Sequence, residues 1–151
     1  MKPQPAKQAQ ANAGGKPAEP VSPVNLDYTV ETGKPFDEAV RAVEQTAAAH
    51  GFRVLYTHDV AATLAEKGFP REPLKIVEVC NARYANEVLE KDIRTALMLP
   101  CPISVYSRQG KTFISTMRPS LIADFFPEAN IEQTALAVDV AVRQIVDEAK
   151  M

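Results

Sequence analysis

Residues 101–117 contain the feature that most restricts how this chain can fold. Two β-rich runs, CPISVYSR (101–108) and KTFISTM (111–117), are separated only by Gln109-Gly110. A short connection that contains glycine is typical of a β-hairpin, and the strands of a hairpin are antiparallel. A purely parallel sheet is therefore excluded, and the rest of the chain has to complete a sheet around this hairpin.

Three further segments have the patterns of strands. Leu26, Tyr28 and Val30 alternate with polar residues, which is the period of a half-buried strand. Residues 52–60 are rich in β-branched and aromatic side chains and predict a second strand. Residues 74–80, LKIVEVC, form a nearly continuous apolar run, which is typical of a central strand covered on both faces.

Helical spacing separates these strands. Phe36, Val40, Val43 and Ala47 recur at intervals of four and three, which predicts a helix that ends near His50. Shorter helices are predicted for residues 61–68, 82–92 and 119–126. The resulting order, β-α-β-α-β-α-β-β-α-α, predicts an α+β fold with a largely antiparallel sheet.

The last helix is predicted over residues 130–150, with Asn130 as its N-cap. Its apolar positions follow one stripe, namely Ile131, Ala135, Val138, Val142, Ile145 and Ala149. We expect Leu136 and Val140 to widen this stripe, so that the helix packs across the sheet. A partner helix in a dimer would need much the same face.

Composition divides the chain into two parts. Residues 1–24 hold five prolines and lack aromatic residues, Leu and Ile, which predicts a disordered leader or linker before a single domain at 25–151. The domain carries 14 basic and 18 acidic residues, which argues against nucleic acid as a partner. No window is apolar enough for a membrane span. The chain shows no signal-peptide pattern, which predicts the cytoplasm, or the periplasm if Met1 replaces a removed signal peptide.

Two cysteines define the candidate site. Cys80 ends one predicted strand and Cys101 begins the next, so antiparallel neighbours would bring both sulfurs to one edge of the sheet. Glu78 shares the face of Cys80, and His58 lies late in the second strand. These four side chains would suit a zinc ion or a similar metal. The alternatives are a disulfide or redox pair, and two packed thiols with no chemistry.

Prolines on both sides of Cys101 bear on this choice. Pro102 cannot donate a hydrogen bond to a sheet and belongs at a strand start, and Pro100 holds the approach to it. Cys101 is therefore expected at the rim of the sheet, facing the side of Ile103 and Val105. The sequence contains none of the phosphate-binding, hydrolase or metalloprotease motifs that would identify an enzyme class.

Three stretches resemble a known family: DVAATLAEKG, KIVEVCNARYANEVLEKD and LMLPCPISVYSRQGKTFISTMRPSL. The chain resembles the bacterial and archaeal family of domain of unknown function 302, over about residues 26–126. The resemblance implies a β-α-β(4)-α arrangement like that of the TATA-binding protein, and homodimers, but no established reaction or cofactor. The family usually has proline after its Cys-Asn pair, where this chain has Ala82.

Two functions from different classes follow from these observations. The first is a small dimeric binding or accessory module without catalysis. The alternative is a thiol-dependent redox, sulfur-handling or metal-binding protein that uses Cys80 and Cys101. A second copy of the chain is the expected partner, and a small molecule and a metal are the two ligand classes left open.

Overall fold

A computed structural model describes residues 25–151 and contains one five-stranded sheet. The predicted leader at 1–24 lies outside the described residues. The strands are β1 (Asp27–Thr32), β2 (Arg53–Asp59), β3 (Leu74–Cys80), β4 (Cys101–Arg108) and β5 (Lys111–Met117). Their spatial order is β1-β5-β4-β3-β2, and every neighbouring pair is antiparallel. The predicted α+β class and the hairpin at 101–117 are confirmed.

Two long helices cover one face of the sheet, which we call the covered face. They are α1 (Phe36–Ala49) and α5 (Glu132–Ala149). The strand residues beneath them form the core, namely Val77, Val79, Cys101, Ile103, Val105 and Ile114. Val77 and Ile103 are direct neighbours on adjacent strands and are both fully buried, so the core is centred on β3 and β4.

The opposite face carries no helix layer in the described part of the chain, and we call it the open face. One row across it consists of Thr29, Ser115, Ser104, Ile76 and His58. The apolar run of β3 predicted a strand covered on both faces, and this prediction is wrong for the open face. Only alternate residues of that strand are buried, and Ile76 stays half-exposed on the open face.

Helix α1 has the boundaries that its spacing predicts. It buries Ala39, Val40, Val43 and Ala47 and ends at His50, whose Nε2 lies 2.8 Å from Glu148 Oε2 of α5. Gly51 follows with a φ of 78°, a conformation that favours glycine, and turns the chain into β2. This turn matters for the site described below, because the carbonyl of Gly51 becomes a hydrogen-bond acceptor there.

Helix α5 confirms the predicted stripe but not its width or its cap. Ala135, Val138, Val142, Ile145 and Ala149 are buried. Leu136 and Val140, expected to widen the stripe, are 59% and 50% exposed. Each lies two residues from Val138, about 160° around the helix, and therefore points away from the sheet. Asn130 is not the N-cap, because Ile131 holds that position and Asn130 has a φ of 55°.

The remaining helices are short and lie in the connections. They are α2 (Val60–Glu66), α3 (Ala82–Lys91) and α4 (Leu121–Phe125), together with a 3-10 helix at Ile93–Met98 that the sequence pattern did not predict. Helix α3 and the 3-10 helix join the adjacent strands β3 and β4 and so cross one end of the sheet. Within residues 25–151, no helix is long and apolar enough to cross a lipid bilayer.

Candidate functional site

Asn81 organises the end of the sheet at which both cysteines lie. Its side-chain oxygen accepts hydrogen bonds from the backbone N–H groups of Arg83 (3.1 Å) and Tyr84 (3.2 Å), which caps helix α3. Its side-chain nitrogen donates to the carbonyl of Gly51 at 3.3 Å. Ala82 is the first residue of α3, a position that suits proline but accepts alanine equally well. The departure from the family pattern therefore leaves the turn intact.

An apolar cleft, which we call the end cleft, lies between α3, α5 and the ends of β3 and β4. It is lined by Phe52, Cys80, Asn81, Tyr84, Ala85, Val88, Leu99, Cys101, Pro119, Ile122, Ala135 and Val138. The cleft is narrow, because the space open to the centre of a water molecule is about 30 Å³. A single water needs roughly 10–15 Å³ of such space. The cleft therefore has room only for a thin apolar group such as an alkyl chain.

Cys101 lines the end cleft, and its side chain lies on the covered face of the sheet. It pairs with Val79 across β3 and β4, starts its strand as predicted and is 9% exposed. Burial raises the pKa of its thiol from 9.0 to about 11, and the neighbouring Cys80 adds to the rise. The thiol is therefore protonated at neutral pH and behaves as a small apolar side chain.

Cys80 is the half-buried neighbour of Cys101. Val79 is the register partner of Cys101, and Cys80 is the next residue along β3. Because side chains alternate along a strand, those of Cys80 and Cys101 point to different faces of the sheet. The predicted position at one sheet end is confirmed, but Cys80 is not directly opposite Cys101. Both side chains still line the end cleft, and both are free thiols. Burial also raises the pKa of Cys80.

The structure places Glu78 and His58 together, on the open face. Glu78 Oε1 lies 3.0 Å from His58 Nε2, and the ring of Tyr56 packs edge-on against the imidazole with centroids 4.6 Å apart. The imidazole nitrogen is not aligned for a hydrogen bond to Glu78. Cys101 is directed to the other face of the sheet. Among residues 25–151, no three His, Cys, Asp or Glu side chains lie close enough to share a metal ion.

Most of the end cleft comes from residues that the sequence pattern did not single out. Phe52 and Tyr84 pack with ring centroids 6.4 Å apart, and Pro119, Ile122 and Val138 reach the cleft from the C-terminal part of the chain. Val138 belongs to the apolar stripe predicted for the last helix. Its meeting with the other four residues has no local signal, because only the folded chain brings these distant segments together.

Comparisons with known proteins bear on this fold and site. A family model described as domain of unknown function DUF302 matches residues 28–149. The chain belongs to the DUF302 family. The resemblance stated from the Cys80, Cys101 and hairpin segments is thereby confirmed. None of the curated proteins matches this DUF302 chain.

A solved DUF302 structure has a similar fold. It is described as an uncharacterized conserved protein from Bacillus stearothermophilus, and its TM-score to this chain is 0.79. The two sequences are 27% identical, and the match covers 83% of this chain and 99% of the Bacillus chain. The antiparallel sheet with its helices is therefore shared with a second DUF302 protein.

Proposed function

We propose that this DUF302 protein is a small homodimeric binding module that holds a narrow apolar group in the end cleft without reacting with it. The observation that supports this most is the chemistry of the cleft walls. Apart from Asn81 they are aliphatic and aromatic, and the sulfurs of Cys80 and Cys101 belong to protonated thiols. Such a cleft binds by excluding water from apolar surface.

Two features argue against thiol catalysis in the end cleft. A reactive cysteine needs a lowered pKa, whereas burial raises the pKa of both thiols. Cys80 lies just before helix α3, where backbone N–H groups could stabilise a thiolate. The side chain of Asn81 already accepts the N–H groups of Arg83 and Tyr84. The thiols are therefore packing groups in this proposal.

Filling the cleft tests its role. Ala85 lines the cleft from α3, and we expect Ala85→Leu to occupy the narrow space. Xenon, which binds small apolar cavities, is expected to shift the methyl resonances of Val88 and Val138 in the wild type but not in this variant. Ala82→Leu, on the exposed side of the same helix, is the matched control and should keep the wild-type response. Equal xenon responses in the two variants would contradict the proposal.

An exposed apolar patch at the same end of the sheet supports the dimer. Ile93 and Leu97 of the 3-10 helix are 74% and 82% exposed, and Leu55 and Tyr56 of β2 are 48% and 61% exposed. Leu55 and Ala96, the residue before Leu97, line one shallow depression, so the 3-10 helix and β2 are neighbours there. Large apolar residues gathered on a surface are typical of protein contacts. We assign the contact between two copies to this patch.

A charge introduced into the patch tests the dimer. The wild type is expected to have twice the 16.5 kDa chain mass in size-exclusion chromatography with light scattering. Leu97→Glu should give a monomer, because a carboxylate would be desolvated in the contact. Leu136→Glu is the matched control on the outer side of α5, and we expect it to stay dimeric. A monomeric wild type would refute the dimer, and a monomeric Leu136→Glu alone would move the contact to α5.

The thiol alternative has one supporting observation, the presence of both sulfurs on one cleft. Native mass spectrometry of protein purified without chelator, combined with thiol counting, separates the two functions. The binding module predicts two free thiols and the mass of the chain without metal. A loss of two hydrogens, or a bound metal that disappears in Cys80→Ser, would favour the redox or metal function instead.

A further inference from the structure

A polar pocket lies on the open face at the end of the sheet opposite the end cleft, and we call it the rim pocket. Its volume is about 290 Å³. It is lined by Arg71, Glu72, Leu74, Ser104, Tyr106, Ser107, Arg108 and Ser115. The position places it on the hairpin strands β4 and β5, beside the loop that leads into β3.

Two hydrogen bonds hold that loop against the hairpin. The N–H of Gln109 donates to Glu72 Oε1 at 3.1 Å, and the N–H of Ser107 donates to the carbonyl of Pro73 at 3.0 Å. These bonds hold residues 72 and 73 beside residues 107–109 at the end of the hairpin. Arg71 and Arg108 therefore line the same pocket although their like charges repel.

The charges of the rim pocket favour an anion. Within the described part of the chain, neither Arg71 nor Arg108 forms an ion pair with a carboxylate. Glu72 is the single acidic residue of the lining, and one of its oxygens is occupied by Gln109. Planar guanidinium groups bind carboxylate and phosphate oxygens through paired hydrogen bonds. The serine hydroxyls add further donors.

An aromatic surface lies beside these donors. The ring of Tyr106, which lines the pocket, stacks on Phe113 with centroids 5.4 Å apart and planes inclined by 24°. This stacking holds the tyrosine ring in place from the side of β5. Leu74 lies directly opposite Tyr106 on β3 and extends the apolar wall. The pocket thus combines two exposed cationic side chains with a flat apolar wall.

We propose that the rim pocket binds a small aromatic acid, whose oxyanion contacts Arg71 and Arg108 and whose ring packs on Tyr106. The oxyanion is a carboxylate or a phosphate monoester, because both have oxygens that fit a guanidinium group. This site is separate from the end cleft, which lies at the other end of the strands. Its failure would therefore leave the proposed function untouched.

Amide chemical shifts in a titration with phenyl phosphate at low salt test the site. We expect shifts confined to the amides of residues 71, 72 and 74 and of residues 104–108 and 113–115 on the hairpin. Arg71→Gln and Arg108→Gln should each weaken binding about tenfold, the loss of one charge-assisted hydrogen bond. Glu72→Gln keeps an acceptor for Gln109 but removes a negative charge, so we expect tighter binding. Arg41→Gln, an exposed arginine on α1, is the matched control and should bind as the wild type.

Related probes separate the parts of the ligand. Benzoate in place of phenyl phosphate identifies the preferred oxyanion, and binding of either supports the site. Neutral benzyl alcohol should bind at least tenfold more weakly than both. The site is overturned if Arg41→Gln loses as much affinity as Arg108→Gln, if the shifts spread over the whole surface, or if inorganic phosphate binds as tightly as the aromatic acids.

Discussion

Iodoacetamide is expected to modify Cys80 roughly tenfold or more faster than Cys101 in the native protein at pH 8, because burial raises the pKa of both thiols but covers Cys101 more completely. The thiolate is the reacting form, and a thiol with a pKa of about 11 is ionised in about one molecule in a thousand at that pH. Cys101 is also 9% exposed, whereas Cys80 is half-buried. Mass spectrometry of quenched time points measures both rates.

Two single variants show which alkylation rate belongs to which cysteine. Cys101→Ser leaves only the fast thiol and Cys80→Ser only the slow one, so each rate is measured in isolation. In urea both cysteines should react alike, because unfolding removes the burial that separates them. Equal native rates would mean that Cys101 is an accessible thiol and would contradict its role as a packing group of the end cleft.

Raising the pH has a defined effect on stability. The folded state holds the Cys101 proton up to a pKa of about 11, while the unfolded chain releases it near the ordinary value of 9.0. Between these values the folded protein binds more protons than the unfolded chain, so the free energy of unfolding falls as the pH rises. Below pH 9 this contribution is fully present. Cys101→Ser should lose the part of the pH dependence that belongs to this thiol.

The sheet was predictable from the sequence because its signals are local. A glycine turn at 109–110 specifies the hairpin, and alternation specifies β1. The register between β3 and β4 then places Cys80 and Cys101 at one end. The end cleft was not predictable, since Phe52, Pro119 and Val138 meet Cys101 only after α5 has packed on the sheet. The open face was missed for a related reason, because the apolar run of β3 does not reveal what covers it.

Asp139 shows a different limit of sequence patterns. A carboxylate within the last helix is expected on its solvated side, yet Asp139 is 4% exposed. Its Oδ1 lies 2.8 Å from Nε of Arg143, and its Oδ2 accepts the N–H of Ser120 at 3.1 Å. The chain that leads into α4 supplies this second partner. The carboxylate therefore joins two segments, and no spacing rule for α5 alone could predict it.

Replacing this carboxylate should have a large effect on stability. We expect Asp139→Ala to lower the free energy of unfolding by about 2 kcal/mol, because it leaves the part-buried N–H of Ser120 without an acceptor and Arg143 without its partner. Asp139→Asn should lose less, since its amide oxygen can still accept from Ser120. Urea unfolding followed by circular dichroism measures both, with Gln144→Ala on the exposed side of α5 as the control. If Asp139→Ala unfolds at the same urea concentration as Gln144→Ala, the carboxylate does not join α5 to the start of α4, and the C-terminal wall of the end cleft is stabilised by apolar packing alone.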